Sequence, residues 1–197
     1  MAKKKGIIGF KGLALAPIKT NTVTAYETET AIAIPYAGSM SKTPIESEQS
    51  FYYDDDLYAK NKNVSGMDVE IRVAEINPKT LAEDLGIGTY DEAKRAYESD
   101  FNVEGKEYAL RCVCATLGGL PTYFCYRLFE LSGVRFDNFT TKGESITLCE
   151  AILTGTLKRP ALASALPQVQ RDPMEDGSDI AQLDAWLAAA EKLPAIT

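Results

Sequence analysis

IESEQSFYYDDDLYAKNKNVSGMDVEIRVAEI, residues 45–76, is the stretch on which the fold turns. Through Met67, Asp68, Val69, Glu70, Ile71, Arg72 and Val73, apolar and polar side chains alternate without a break. That period belongs to a strand with one face buried and the other turned to water or a neighbour. A weaker alternation from Glu46 to Phe51 predicts a second extended arm. Between the arms stand Phe51, Tyr52, Tyr53, Asp54, Asp55, Asp56, Leu57 and Tyr58. Four aromatics beside three carboxylates are unusual in a simple loop, and such a mixture suits an interface.

The chain has 197 residues, 45% apolar and 25% charged, enough for one well-buried domain with an appendage. No apolar run is long enough to cross a bilayer. The basic start, Met1-Ala2-Lys3-Lys4-Lys5, leads into an apolar piece that Gly9 and Lys11 interrupt. A signal peptide needs a longer apolar core, so the chain is expected to be made in the cytoplasm. The 21 basic and 28 acidic residues give a net charge of −7. Without Lys3, Lys4 and Lys5 the rest carries −10, 18 basic against 28 acidic. A surface of that sign repels phosphate backbones, which argues against ordinary nucleic-acid binding. It is compatible with letting DNA slide past.

Cys112, Cys114, Cys125 and Cys149 are the cysteines, and there is no histidine. Free buried thiols are the expectation. A four-cysteine metal site is disfavoured, because Cys112 and Cys114 are one residue apart and the other two stand singly. Asp54-Asp55-Asp56 contains a D-x-D but lacks the Gly and terminal Glu of a calcium loop. No phosphate loop, dinucleotide fingerprint or serine nucleophile motif is present. Without histidine the commonest general base is missing, and neither Cys112 nor Cys125 has an activating partner of that kind. Neither an enzyme nor a bound metal or cofactor is expected.

In chain order, residues 6–36 read as extended segments, with Pro17 as a stop and residues 35–41 as a turn. Asn77 and Pro78 open a short helix over 79–85, which Gly86 closes in a left-handed cap. Thr89 and Glu92 form a capping box, so residues 89–97 read locally as helix. Residues 108–131 form two strands around Gly118-Gly119. A two-residue turn there would set Cys112 opposite Cys125, on the face it shares with Cys114. The second of these strands, residues 123–129, is apolar on both faces and should be covered on both. Residues 134–137 alternate again, and a last strand begins at residue 145. Past Arg159 a Pro- and Ala-rich arm leads to a helix that Asp179 caps and Pro194 ends. Ile180, Leu183 and Leu187 form its docking stripe, with Trp186 alongside.

The aromatic pair followed by aspartates and Tyr58, then Val69-Glu70-Ile71-Arg72-Val73-Ala74-Glu75-Ile76, resembles the major tail protein of long-tailed phages of Gram-positive bacteria. Further similar pieces are Gly12-Leu13-Ala14-Leu15-Ala16-Pro17, Ile34-Pro35-Tyr36-Ala37 and the Thr80 to Gly86 helix. Tyr108-Ala109-Leu110, Thr141-Lys142-Gly143-Glu144-Ser145-Ile146 and Thr154-Gly155-Thr156-Leu157 complete them. Their order and spacing, over most of residues 6–160, carry the resemblance. Residues 90–97 and everything after Pro160 depart from it.

The resemblance implies a mainly β fold with minor α: a β-sandwich or half-open barrel with one packed short helix. Residues 1–160 would form this tail-tube domain, and residues 161–197 a C-terminal arm and helix. It implies hexameric rings stacked into a tail tube, a virion component assembled in the host cytoplasm. Its partners would be other copies and the tape measure, terminator and distal tail proteins, with DNA only as passing cargo and no membrane. On that reading Phe51, Tyr52, Tyr53, Asp54, Asp55 and Tyr58 lie at subunit contacts, and Asp68, Glu70 and Arg72 line an acidic lumen. The alternatives are the inner tube of a contractile tail or phage-derived bacteriocin and, from another class, a monomeric β-sandwich binding module.

Overall fold

A computed structural model describes residues 6–53, 56–74, 76–98, 106–137 and 150–194. Asp54, Asp55, Cys149 and the Thr141 to Ile146 motif lie outside the described residues. So do the side chains of residues 49–62 and of Asp137. The chain is mainly antiparallel β. Its strands are β1 (Ile7–Asn21), β2 (Ala25–Thr28), β3 (Ile32–Ile34), β4 (Ala37–Tyr53), β5 (Asp56–Val73), β6 (Thr89–Asp91), β7 (Ala96–Glu98), β8 (Lys106–Thr116), β9 (Thr122–Asp137), β10 (Glu150–Leu157), β11 (Gln168–Arg171) and β12 (Lys192–Pro194). The helical pieces are a π-helical turn at Thr80–Asp84 and helix α1 at Ile180–Ala188. No helix among the described residues is long and apolar enough to cross a membrane.

The main sheet runs β12-β2-β1-β8-β9-β10-β5-β4, with β3 on β1 and β11 on β9. It curls around one core. Phe10 on β1 and Met40 on β4 have four strands between them in that order, yet pack on the same cluster. Leu13, Leu15, Val69, Ile71, Val73, Leu110, Phe129 and Leu153 fill its middle. The excursion between β5 and β8 drops Leu81, Leu85 and Ile87 into the same core, each almost fully buried. Burying each of these contributes about 1.5–3 kcal/mol. The half-open barrel is therefore plugged by a local turn.

That turn starts as its residues predict. Asn77 Oδ1 accepts the Lys79 amide at 2.8 Å, and Gly86 closes it at φ +57°. Its bonding is wider than an α-helix, because Leu85 N–H donates to Thr80 O five residues back. Residues 89–97 are a hairpin, β6 with β7, and not a helix. Asp91 Oδ1 takes the amides of Ala93 and Lys94 in a turn, Arg95 adopts a positive φ, and Tyr97 packs on the core. Local side-chain bonding thus outcompetes the helix.

Two further expectations change in register or extent. Pro17 does not stop β1, which continues to Asn21 while the Pro17 carbonyl accepts the Glu29 amide. The β8–β9 turn is longer than Gly118-Gly119 alone: Cys114 pairs with Thr122 and Cys112 with Phe124. Thr116 Oγ1 donates to Leu120 O at 2.6 Å inside this loop, and Pro121 stays out of the ladder. A shift of one residue moves a side chain to the other face. Cys125 therefore sits opposite Arg111, away from Cys112 and Cys114.

The arm after β10 wraps the outer face of β8 and β9. β11 pairs with residues 123–126 of β9, α1 packs over the sheet, and β12 pairs with β2. This chain's own arm thus covers the second face of residues 123–129. Asp179 does not cap α1 with its side chain, which instead accepts the Met174 amide. The helix ends at Ala188, not Pro194, and Arg111 meets its end. Arg111 is 1% exposed. Its Nη1 donates to the carbonyls of Ala189 and, at 2.8 Å, of Leu187. Its Nη2 donates to Thr28 Oγ1 at 3.3 Å. A cation at the carbonyl end of a helix is favoured by the backbone dipole. Beside it, Arg127 Nη2 meets Glu191 Oε1 at 2.7 Å, and Tyr26 donates to the Arg127 carbonyl at 2.7 Å. Burial holds the Tyr26 phenol protonated, well above its ordinary value.

Arg111→Ala is expected to lower unfolding stability by about 2–3 kcal/mol, the cost of orphaning buried partners of a charged group. The chain's single tryptophan, Trp186 on α1, supplies the readout. Its emission should shift red in the variant under native conditions. An unchanged urea midpoint with unchanged emission would show that the arm docks without this residue.

Candidate assembly surfaces

The two arms flanking the aromatic and acidic residues form one long hairpin, and pairing continues from Ala37 with Val73 out to Tyr53 with Asp56. Its inner neighbour β10 ends at Leu157, opposite Met67. Residues 45–53 of β4 and 56–66 of β5 therefore run past β10 as a two-stranded arm of roughly 30 Å, at about 3.3 Å per residue. Phe51, Tyr52 and Tyr53 are strand residues at its far end, not loop residues. Tyr58 is the extra residue of a bulge, since Phe51 pairs with Ala59 and Tyr52 with Leu57.

Where the arm leaves the body, the backbone is shaped for the exit. Pro44 sits on the outer strand, where a missing amide donor is tolerated. Ser65 is the extra residue of a second bulge, and its hydroxyl bonds to the Ile45 carbonyl at 3.4 Å. Such bulges bend and twist a ribbon. Gly66 lies against β10 so closely that a Cβ there would meet the Leu157 carbonyl oxygen at 2.6 Å. A cleft of about 300 Å³ opens beside it, lined by Val64, Gly66, Leu157, Arg159 and Gln168.

The second surface is the outer face of β4, β5, β10 and β9. Alternation puts Val69, Ile71 and Val73 in the core and leaves Asp68, Glu70 and Arg72 outside. In register across the face run Thr43, Asp68, Thr156 and Glu130, then Ser41, Glu70 and Thr154, then Arg72, Ile152 and Arg135. Glu70 accepts two guanidiniums, Arg72 Nη2 at 3.1 Å and Arg135 Nη2 at 3.2 Å. Arg72 Nη1 reaches Glu150 at 3.4 Å, Thr156 Oγ1 donates to Asp68 at 3.3 Å, and Lys158 pairs with Glu130. Ile152 lies under this layer, fully buried between the two arginines. Their stems are long enough to cover it while the charged heads stay wet.

This face is less acidic than a count of Asp68 and Glu70 suggests. Among the described side chains, Asp68, Glu70, Glu130 and Glu150 outnumber Arg72, Arg135 and Lys158 by one. Its character is hydroxyls and mutually neutralised ion pairs.

The third predicted set, Ile180, Leu183, Trp186 and Leu187, faces this chain's own sheet. Leu183 is buried and the other three are half-buried. Trp186 packs on Ala16, Ala109 and Cys125, and Arg171 stacks over its ring at 4.4 Å. Tyr123 OH donates to Asp184 at 2.8 Å. Burial, with this carboxylate beside it, pushes the Tyr123 phenol up to about 12. Arg111, which ties the helix down, went unremarked in the sequence. Its one signal is a cation between Ala109 and Val113, on the face opposite Leu110 and Cys112.

Among the described residues no three His, Cys, Asp or Glu side chains gather as metal ligands. Compared with known proteins, the chain matches no family model, and no curated protein matches it.

Gly66→Ala is expected to destabilise the fold by about 1–3 kcal/mol, the usual cost of forcing extra volume into a closed contact. Urea unfolding measures this, and a neutral outcome would mean that β5 and β10 separate freely at the base of the arm.

Proposed function

We propose that this chain is a self-assembling structural subunit, a tail-tube protein whose hexameric rings stack into the tail of a long-tailed phage. The observation that carries the reading is the protruding hairpin with its open edges. Both strands of the arm present backbone donors and acceptors that no other strand among the described residues takes up. An exposed edge of that length is a template for pairing, and soluble monomers normally cover or shorten such edges. A head-to-tail ring covers each edge with a neighbour's strand, and arms that rise past the ring link it to the next. The aromatic residues Phe51, Tyr52, Tyr53 and Tyr58 stand at the far end of the arm, where a ring-to-ring contact would use them.

The face of β4, β5, β10 and β9 is the proposed lumen lining. Among the described residues its three cations are each engaged by a carboxylate, and carboxylates exceed them by one. Among the described residues of this face, a phosphate backbone therefore meets no unpaired cation to hold it. The surrounding hydroxyls of Ser41, Thr43, Thr154 and Thr156 keep the wall wetted. Passage without adhesion is the function this lining supports. The inner tube of a contractile device would use the same surfaces. A monomeric binding module would leave the arm unexplained.

Purified protein at high concentration is expected to form rings and tubes by negative-stain imaging. A variant joining Ile45 to Gly66 through an Asn-Gly turn, without the arm, should remain a folded monomer by size exclusion and circular dichroism. Tyr53→Ala with Tyr58→Ala should behave like the trimmed chain. Wild-type protein that stays monomeric at every concentration would overturn the assembly reading. Tubes formed by the trimmed chain would remove the arm from it.

A further inference from the structure

We propose that Cys112 and Cys114 form a chelating site for a soft monovalent metal ion of the Cu(I) class, with the Met40 thioether as third ligand. The proposal is independent of tube assembly. The two cysteines are alternate residues of β8, so their side chains leave the strand on the same face, and both are buried. They border a cavity of about 390 Å³ between the opening of β1 and the opening of β4, which Met40 also lines. Two thiol side chains and a methionine side chain thus line one space. Thiolate and thioether donors together select Cu(I) over harder divalent ions.

The surroundings suit such an ion. Two thiolates on a monovalent ion leave a net negative charge, and the Lys42 ammonium lies on the same wall, donating to Tyr126 OH at 2.6 Å. Phe10 and Phe124 supply apolar walls. The Cys114 thiol is lowered to about 7, chiefly by a hydrogen bond from Cys112 and further by Lys42, against its burial. Cys112 is pushed up as the donor to Cys114, and by burial. Cys125 is on the other face against Ala16, Ala109 and Trp186, and burial raises its thiol to about 11. It takes no part.

The test is anaerobic titration of the full chain with Cu(I) in competition with bicinchoninate. One ion per chain should resist the competitor. Cys112→Ser or Cys114→Ser should abolish that resistance, while Cys125→Ser and Cys149→Ser retain it. Lys42→Ala, which removes the nearby charge and no ligand, should weaken binding about 10–100-fold. Equal uptake by Cys112→Ser/Cys114→Ser, or none by the wild type, would overturn the site. Trp186 emission, from the opposite face of the sheet, verifies that each variant is folded. If the serine variants unfold, Ag(I) added to wild-type protein labelled at methionine methyls decides the matter. The Met40 resonance should move by one equivalent, and an unmoved resonance would overturn the proposal.

Discussion

Strand β5 runs on through residues 56–66, past Met67, opposite which its inner neighbour β10 ends at Leu157. That mismatch is the constraint around which the molecule is organised. The inner half of β5 is held on both edges, with Val69, Ile71 and Val73 in the core. Among the described residues the outer half has only β4 as partner, and an isolated two-stranded ribbon is marginal in water. Its backbone groups on the open edges must bond to water or to another chain. Pro44, the Ser65 bulge and Gly66 fix where body ends and arm begins. The arm is thus a feature of the sequence, placed at one defined point.

The two faces of the sheet are finished by different means. Over β8 and β9 the cover comes from the chain itself: α1, β11 and β12 are fastened by a buried arginine and by the Arg127–Glu191 pair. Over β4, β5 and β10 there is no such cover among the described residues, and the chain instead builds a layer of ion pairs and hydroxyls above a buried isoleucine. A wetted, nearly neutralised layer of this kind is stable facing solvent. It offers little to a protein partner, whose interface core would exclude such charges.

Much of this was legible along the chain, for physical reasons that also explain the failures. The alternation from Met67 to Val73 was read correctly because a half-buried strand imposes a period of two on its own sequence. Asn77 and Gly86 marked the short turn because caps act within a few residues. Local signals mislead where neighbouring residues compete for the same amides or ladder positions. The capping box at Thr89 and Glu92 lost to Asp91, whose side chain took the amides a helix would have used. The Gly118-Gly119 turn misled because Pro121 keeps one more residue out of the ladder, and that single step turned Cys125 to the far side. Arg111 could not be interpreted from β8 alone, since the carbonyls that receive it lie more than seventy residues away.

That last case separates what a strand can encode from what a fold decides. On β8 the residues Ala109, Arg111 and Val113 face the arm, while Leu110, Cys112 and Cys114 face the core. One register therefore sets three things together. It brings Arg111 to the end of α1, keeps Cys125 beneath Trp186, and leaves Cys112 and Cys114 on the cavity by Met40. A slip of one residue would bury the arginine among leucines, at a cost of several kcal/mol for an unpaired charge. The arginine thus acts as a register lock for the central strand, and the placement of the arm, the helix and the cysteine pair all follow from it.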